Sequence, residues 1–476
     1  MSKTFTLPWP RFGDSIIYYR VPILTLWKTL YRVEIPKVIV RAEVTCRAFV
    51  MGASEGESMS SLPGEWEGHL QRGLDHLESA HLLRHTRKSD EMSACFGSND
   101  YLGLAQRRTA AATTSSFRCP ERRGSILVSG YSAAHEDLEE KILELKSLAG
   151  CPGACAVLFP SGFAANLSVG MALCSVHAGQ NPSQRIHVYS DELNHASIID
   201  GIRFAKAMKG SRNNLFLHVY KHNDVKDLER QLQNASGSDT GSLSVVFSES
   251  VFSMDGDICD LRGIAQLKQD HKFLLVLDEA HATLVMGDRG GGVAQALGLS
   301  HEVDLAVGTL SKAVGSFGGF AVARSGLLRS ILLNKGRPVI YSTALPSALV
   351  REALTNIDIG MGEQGSAMRE KLRKNVRFLT KALAERGFIC GEGGGKEAQL
   401  MSPIIPVAMP SEQFALRTSS HLWEKHGIFV PAIRPPTVPT SRLRIAVLAT
   451  HSLKELLLLA DALTETRSAV NEHARL

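Results

Sequence analysis

Between residues 157 and 323 the chain repeats one pattern: a short apolar run, then a longer stretch of helical period. The runs are Val157–Phe159, Ile186–Tyr189, Leu215–Val219, Ser244–Phe247, Phe273–Leu277, Asp304–Val307 and Phe320–Ala323. Strand–helix alternation of this kind predicts an α/β domain built on a mostly parallel sheet. Ligands of such sheets bind just beyond the C-terminal ends of the strands. Polar residues that terminate a run are therefore the first candidates for chemistry. Phe273–Leu277 ends on Asp278, and Asp304–Val307 leads through Gly308 and Thr309 to Lys312.

The pattern changes near residue 350. A long helical region spans Pro346 to about Arg386, followed by strands at Ile404–Val407, Ile428–Val430 and Leu443–Val447 and helices over 411–426 and 452–464. Few strands with flanking helices predict a smaller α+β domain. Upstream, Leu70, Leu74, Leu77, Leu82 and Leu83 recur at helical spacing, while 51–63 has the small, polar composition of a linker. The expected division is an extension and linker over 1–63, a helical segment over 64–105, a large domain over 106–350 and a small domain over 351–476.

Charge sharpens that division. The net charge is +5 over 476 residues, yet residues 1–50 alone hold eight Lys/Arg against three Asp/Glu, and the remainder holds 45 of each sign. A nucleic-acid binder would carry its excess on the folded body, so no nucleic-acid partner is expected. The first fifty residues fit a targeting segment, a disordered arm or a misassembled reading frame. Arg20, Lys28, Arg32, Glu34 and Lys37 interrupt the most apolar early stretch too often for a membrane span. The eight cysteines show no repeated pair spacing, which predicts reduced thiols in an intracellular compartment. The final Ala474, Arg475 and Leu476 are similar to a Ser-Lys-Leu peroxisomal address, so the expected location is peroxisomal or cytoplasmic.

Asp278 and Lys312, taken singly, read as a salt-bridged carboxylate and a solvated amine. Taken together they suit pyridoxal phosphate (PLP), which needs a lysine for a Schiff base and a carboxylate to keep its ring nitrogen protonated. PLP also needs a cup of backbone N–H groups at a helix start. Ser161, Gly162 and Phe163 stand between a strand and a helical pattern, and Thr309 adds a hydroxyl. Asp278-Glu279-Ala280-His281 also spells a helicase tetrapeptide, but no phosphate loop accompanies it: at Gly391–Lys396 the following residue is Glu397. No second histidine lies at i±3 or i±4 of His281, so no metal site is expected.

Nine segments resemble the α-oxoamine synthases, fold-type I PLP enzymes that join an amino acid to an acyl-CoA with loss of carbon dioxide. They are SNDYLGL (98–104), VSGYSAAHEDLE (128–139), PSGFAAN (160–166), NHASIIDG (194–201), SVFSMDGD (250–257), LDEAH (277–281), GTLSKAVGSFGG (308–319), YSTALP (341–346) and AIRPPTVPTSRLR (432–444). The last is most similar to the branch of biotin biosynthesis that joins L-alanine to a pimeloyl thioester. A sister synthase taking glycine or serine, or an inactive partner subunit, stays open as the alternative.

The resemblance implies roles at matching positions. Lys312 is the Schiff-base lysine, Asp278 the partner of the ring nitrogen and His195 the ring-stacking histidine. Ser253 and His281 stand near the phenolic oxygen, and Gly162, Phe163 and Thr309 cradle the cofactor. Arg434 holds the amino-acid carboxylate, with Thr437 and Asn99 as further substrate contacts. It also implies a homodimer with YSTALP reaching the partner. The chain departs from the family between Leu104 and Ser125, and no single arginine, Arg84 or Arg87, is fixed for the acyl chain's far carboxylate.

Overall fold

The computed structural model describes residues 74–79, 93–107, 124–175, 185–208, 214–236, 242–388, 390, 400–435 and 437–473. The chain divides into two compact units, Met1–Thr86 and Arg87–Leu476. In the first, residues 74–79 are helical, on the leucine pattern. The extension, Arg84, Arg87, most of the atypical 105–124 stretch and the C-terminal Ala474–Leu476 lie outside the described residues.

A seven-stranded sheet forms the body of the second unit. Its strands are β2 (Cys155–Phe159), β3 (Ile186–Asp191), β4 (Leu215–Tyr220), β5 (Leu243–Glu249), β6 (Leu274–Asp278), β7 (Leu305–Thr309) and β8 (Gly319–Ala323), in the order β2-β8-β7-β6-β5-β3-β4. Neighbours from β7 to β4 run parallel, and β8 is antiparallel to both β7 and β2. Each expected run falls on one of these strands, with Phe273 and Asp304 just before β6 and β7, and the sheet is mostly parallel as its sequence pattern implies. Apart from the edge strand β4, the strands are buried on both faces, which is why they read as apolar runs rather than alternations. Leu275 and Leu277 of β6 enter one apolar cluster and Val276 the other.

Helices cover both faces. Among them are α1 (Ala133–Leu145), α2 (Gly162–Cys174), α3 (Ala196–Ala207), α4 (Val225–Ser236) and α5 (Leu261–His271). Two glycines let α2 and α3 cross closely: a Cβ on Gly170 would lie 2.9 Å from the Gly201 carbonyl carbon. The helical region expected over 346–386 is two helices, α6 (Ser347–Met361) and α7 (Glu363–Glu385). Gly362 breaks it by adopting an extended backbone (φ −83°, ψ −171°). Periodicity alone hides this break, because the apolar pattern continues on both sides.

The smaller sheet is antiparallel and has the order β11-β12-β9, with β9 at Ile404–Ala408, β11 at Ala432–Ile433 and β12 at Arg442–Ala446. Helices α8 (Glu412–His426) and α9 (Leu453–His473) accompany it, the latter running well past the expected end at 464. A two-residue strand, β1 (Ala94–Cys95), pairs in parallel with β10 (Ile428–Phe429). Just beyond it, Phe96 O accepts from Ala446 N–H (2.8 Å) and Tyr101 O from Ala449 N–H (2.7 Å). The early SNDYLGL segment is thus laced to the end of the chain. Among the described residues, no helix is long and apolar enough to cross a membrane.

Candidate active site

Strands β5, β6 and β7 end side by side on Glu249, Asp278 and Thr309, and helices α2 and α3 begin beside them. Between these ends lies a cavity of about 230 Å³. Gly162, Phe163, His195, Asp278, His281, Thr309 and Lys312 all line it.

Asp278 is buried and held from two sides. Its Oδ2 accepts from Asn166 Nδ2 (2.6 Å), and its Oδ1 accepts from Ala280 N–H (2.8 Å). Asn166 also donates to Ser197 Oγ (3.1 Å), which lies 2.6 Å from His195 Nδ1. The Ser197 N–H reaches the same ring nitrogen (3.2 Å), so His195 caps α3 and carries its proton on Nε2. The Phe163 ring stands edge-on to His195 with centroids 6.3 Å apart.

Glu249 is the register partner of Asp278 on the neighbouring strand and is 2% exposed. Burial first, and then the Asp278 charge, push its carboxyl well above the usual range. Its Oε1 has no hydrogen-bond partner. Lys312 Nζ lies 2.7 Å from His281 Nε2. Burial pushes its amine down to about 8, against the pull of Asp278 and Glu249. Burial, then Lys312 and Arg444, push His281 well below 6.5 and leave it neutral.

The other end of the cavity is built for an anion. Ser161 Oγ caps α2 by accepting from Ala164 N–H (3.1 Å). The first N–H groups of a helix are unpaired and carry positive potential. Thr309 Oγ1 and Ser311 Oγ lie 2.9 Å apart beside them. A Cβ on Gly162 would come within 3.0 Å of Thr309 Cβ, so glycine keeps this end open. The donor set fits PLP at each end: a helix N-terminus with hydroxyls for the phosphate, Asp278 for the ring nitrogen, Lys312 for the aldehyde carbon and an imidazole for the ring face.

The four other candidates do not line this cavity. Asn99 Oδ1 accepts from the Tyr101 hydroxyl (3.0 Å) and from Arg444 Nη2 (3.1 Å). Ser253 presents its carbonyl to Arg444 Nε (2.5 Å). Arg434 sits 3.8 Å from Glu412 Oε2, and its Nη1 has no hydrogen-bond partner. Thr437 is exposed and touches Arg434 through its backbone, N–H to O at 3.0 Å. Sequence reasoning missed Asn166, Ser197, Glu249, Tyr101 and Arg444. Three had a signal: Asn166 stands one helical turn beyond Gly162, Tyr101 is inside SNDYLGL, and Arg444 ends the last motif.

The profile of the family described as aminotransferase class I and II matches residues 94–463. A protein of Lysinibacillus sphaericus named 8-amino-7-oxononanoate synthase is 39% identical over 367 residues, covering 76% of this chain and 85% of the relative. One of the same name from Arabidopsis thaliana is 37% identical over 380 residues, covering 78% and 74%. A serine palmitoyltransferase from S. paucimobilis, solved with PLP and myriocin bound, superposes with a TM-score of 0.70 at 26% identity, covering 87% of this chain and 100% of that one.

Proposed function

The chain belongs to the aminotransferase class I and II family and, within it, to the α-oxoamine synthases, and from that premise we propose that it is a PLP-dependent acyltransferase joining L-alanine to a pimeloyl thioester to give 8-amino-7-oxononanoate. The observation that carries this reading is the convergence of Lys312, Asp278 and His195 on one cavity beneath a helix N-terminus.

Bound there, PLP supplies an aldehyde for an amine and a protonated ring that absorbs the electron pair left at the amino acid's α-carbon. Asp278, fixed by Asn166 and the Ala280 N–H, presents a carboxylate to the ring nitrogen. His195, held by Ser197, would cover the ring face. The N-terminus of α2, with the neighbouring hydroxyls of Thr309 and Ser311, would hold the phosphate. Lys312, its amine lowered to about 8 by burial, takes the α-proton of L-alanine as general base. The α-carbon then bonds to the thioester carbonyl as the thiol leaves, the original carboxylate departs as carbon dioxide, and Lys312 returns a proton. Arg434, 3.8 Å from Glu412, would take the amino-acid carboxylate, with Thr437 and Asn99 as further substrate contacts.

Release of CoA from pimeloyl-CoA is expected with L-alanine and not with glycine or serine. Lys312→Ala should lower turnover at least about a thousandfold. Normal turnover in that variant would sink the scheme. The serine palmitoyltransferase likeness favours one rival reading, a sister synthase, which serine with palmitoyl-CoA would reveal. A partner subunit without activity would show no PLP absorbance at all. The active form is proposed to be a homodimer, with exposed Val128, Phe317 and Tyr341 covered by a second copy. Sedimentation should give twice the 51.7 kDa chain mass. The C-terminal tripeptide is proposed as a peroxisomal address, so its removal from a fluorescent fusion should abolish organellar targeting.

A further inference from the structure

Three neighbouring strand ends face the cavity, and the roles assigned so far use two of them. Thr309 ends β7 on the phosphate side, and Asp278 ends β6 at the place of the ring nitrogen. Glu249 ends β5, on the far side of Asp278 from Thr309. It lines the same cavity and is 2% exposed. The His195 backbone N–H bonds to its carboxylate. Its Oε1 is buried and has no hydrogen-bond partner. A bare buried acceptor is costly unless a ligand or water fills the place. None of the expected roles uses this residue.

We propose that Glu249 is a further cofactor-binding residue: its free oxygen meets the phenolic oxygen of PLP through one shared proton, while its carboxyl also holds the start of α3 at His195. This rests on the reading of the cavity as a PLP site. PLP carries its phosphate arm and its phenolic oxygen on opposite edges of the ring. With Asp278 at the nitrogen and the phosphate at the α2 start beside Thr309, the phenolic edge turns toward β5, where Glu249 stands. Of the two residues expected at that oxygen, His281 lines the cavity and Ser253 does not. A carboxylate and a phenolate repel each other, and one proton between them turns the contact into a strong hydrogen bond. Burial, then the Asp278 charge, favour a carboxyl that keeps its proton, against the pull of Lys312. Asp191, the remaining charge acting on it, works in the same sense as Asp278 and is itself bonded to His222.

A protonated carboxyl and a primary amide have nearly the same shape. Glu249→Gln keeps an acceptor for the His195 N–H and a donor for the phenolic oxygen. Glu249→Met fills the same space and keeps neither. Wild type and both variants, each stripped of cofactor, are titrated with PLP and with an analogue lacking only the phenolic oxygen. The readout is the dissociation constant from the lysine–cofactor absorbance, which needs no turnover.

With PLP, Glu249→Met should bind at least about tenfold more weakly than wild type, and Glu249→Gln should stay within about threefold. With the analogue, the loss in Glu249→Met should be at least about fivefold smaller. An equal loss with both cofactors would leave Glu249 as a support for His195 alone and overturn the proposal. Unmoved PLP binding in Glu249→Met, or a Glu249→Gln as weak as Glu249→Met, would overturn it too. Should Glu249→Met not fold, infrared difference spectra of wild type and Glu249→Gln take its place. A carboxylic-acid band missing from Glu249→Gln that moves on binding PLP, and not the analogue, supports the proposal. A band that stays still, or no such band, overturns it. The expected losses in an enzyme that turns over serine in place of L-alanine would uphold Glu249 and sink the proposed function. Normal turnover of L-alanine with PLP binding unmoved in Glu249→Met would do the reverse.

Discussion

At the scale of single residues, the site works by keeping charge scarce. Of the groups around Lys312, burial pushes the Glu249 carboxyl up and the His281 ring down, each against its charged form, while Asp278 is held by two hydrogen bonds. A lysine in such surroundings gives up its proton near neutrality. Only the neutral amine attacks an aldehyde, so capture of PLP by the cofactor-free protein should speed up as pH rises through about 8 and then level off. Stopped-flow absorbance across that range would show it, and a pH-independent rate would place Lys312 outside the chemistry. Asp278, Lys312, His195 and His281 were legible because strand-end position and motif coincide there. Arg444 and Glu249 were not. Their partners, Asn99 and Asp278, come from other parts of the chain, and no local pattern encodes that meeting.

At the scale of elements, two helix starts must be aimed at one cavity. The contact between Gly170 of α2 and Gly201 of α3 sets how closely those helices cross, hence how Gly162 and His195 face each other. Gly170→Val should cost about 1–3 kcal/mol and weaken PLP retention beyond the loss of stability. Calorimetry beside PLP dissociation would check both. A second device clamps β3 to the loop after β5. His222 lies 2.9 Å from Asp191 Oδ1 through Nδ1 and 3.0 Å from Asp257 Oδ2 through Nε2. Burial opposes its charge, but the two carboxylates prevail and raise it to about 10. A histidine raised above its unfolded 6.5 contributes stability that is complete below that pH and lost as pH rises through about 10. Melting temperatures should therefore fall faster between pH 7 and 10 in the wild type than in His222→Asn. The strands themselves were readable because parallel strands buried on both faces become apolar runs. The antiparallel sense of β8 and the break at Gly362 were not, since neither direction nor a single extended residue alters periodicity.

At the scale of the molecule, the motifs begin at residue 98 and the basic excess ends by residue 50. A charge-balanced body should hold the whole activity, and deletion of residues 1–50 should leave turnover and PLP binding within about twofold of the full chain. Loss of PLP binding on that deletion would make the extension part of the fold. Within the body, the segment carrying Asn99 and Tyr101 is fastened by β1 to β10 and by Phe96 and Tyr101 to Ala446 and Ala449. The lace joins positions that are synthesised far apart in time. A chain still on the ribosome has made every strand of its large sheet well before the partners of Phe96 and Tyr101 are read from the last codons. Translation that stops short of β12 should thus yield a chain that encodes the whole large sheet but leaves its early segment with nothing to fasten to, and cellular surveillance would meet that loose end.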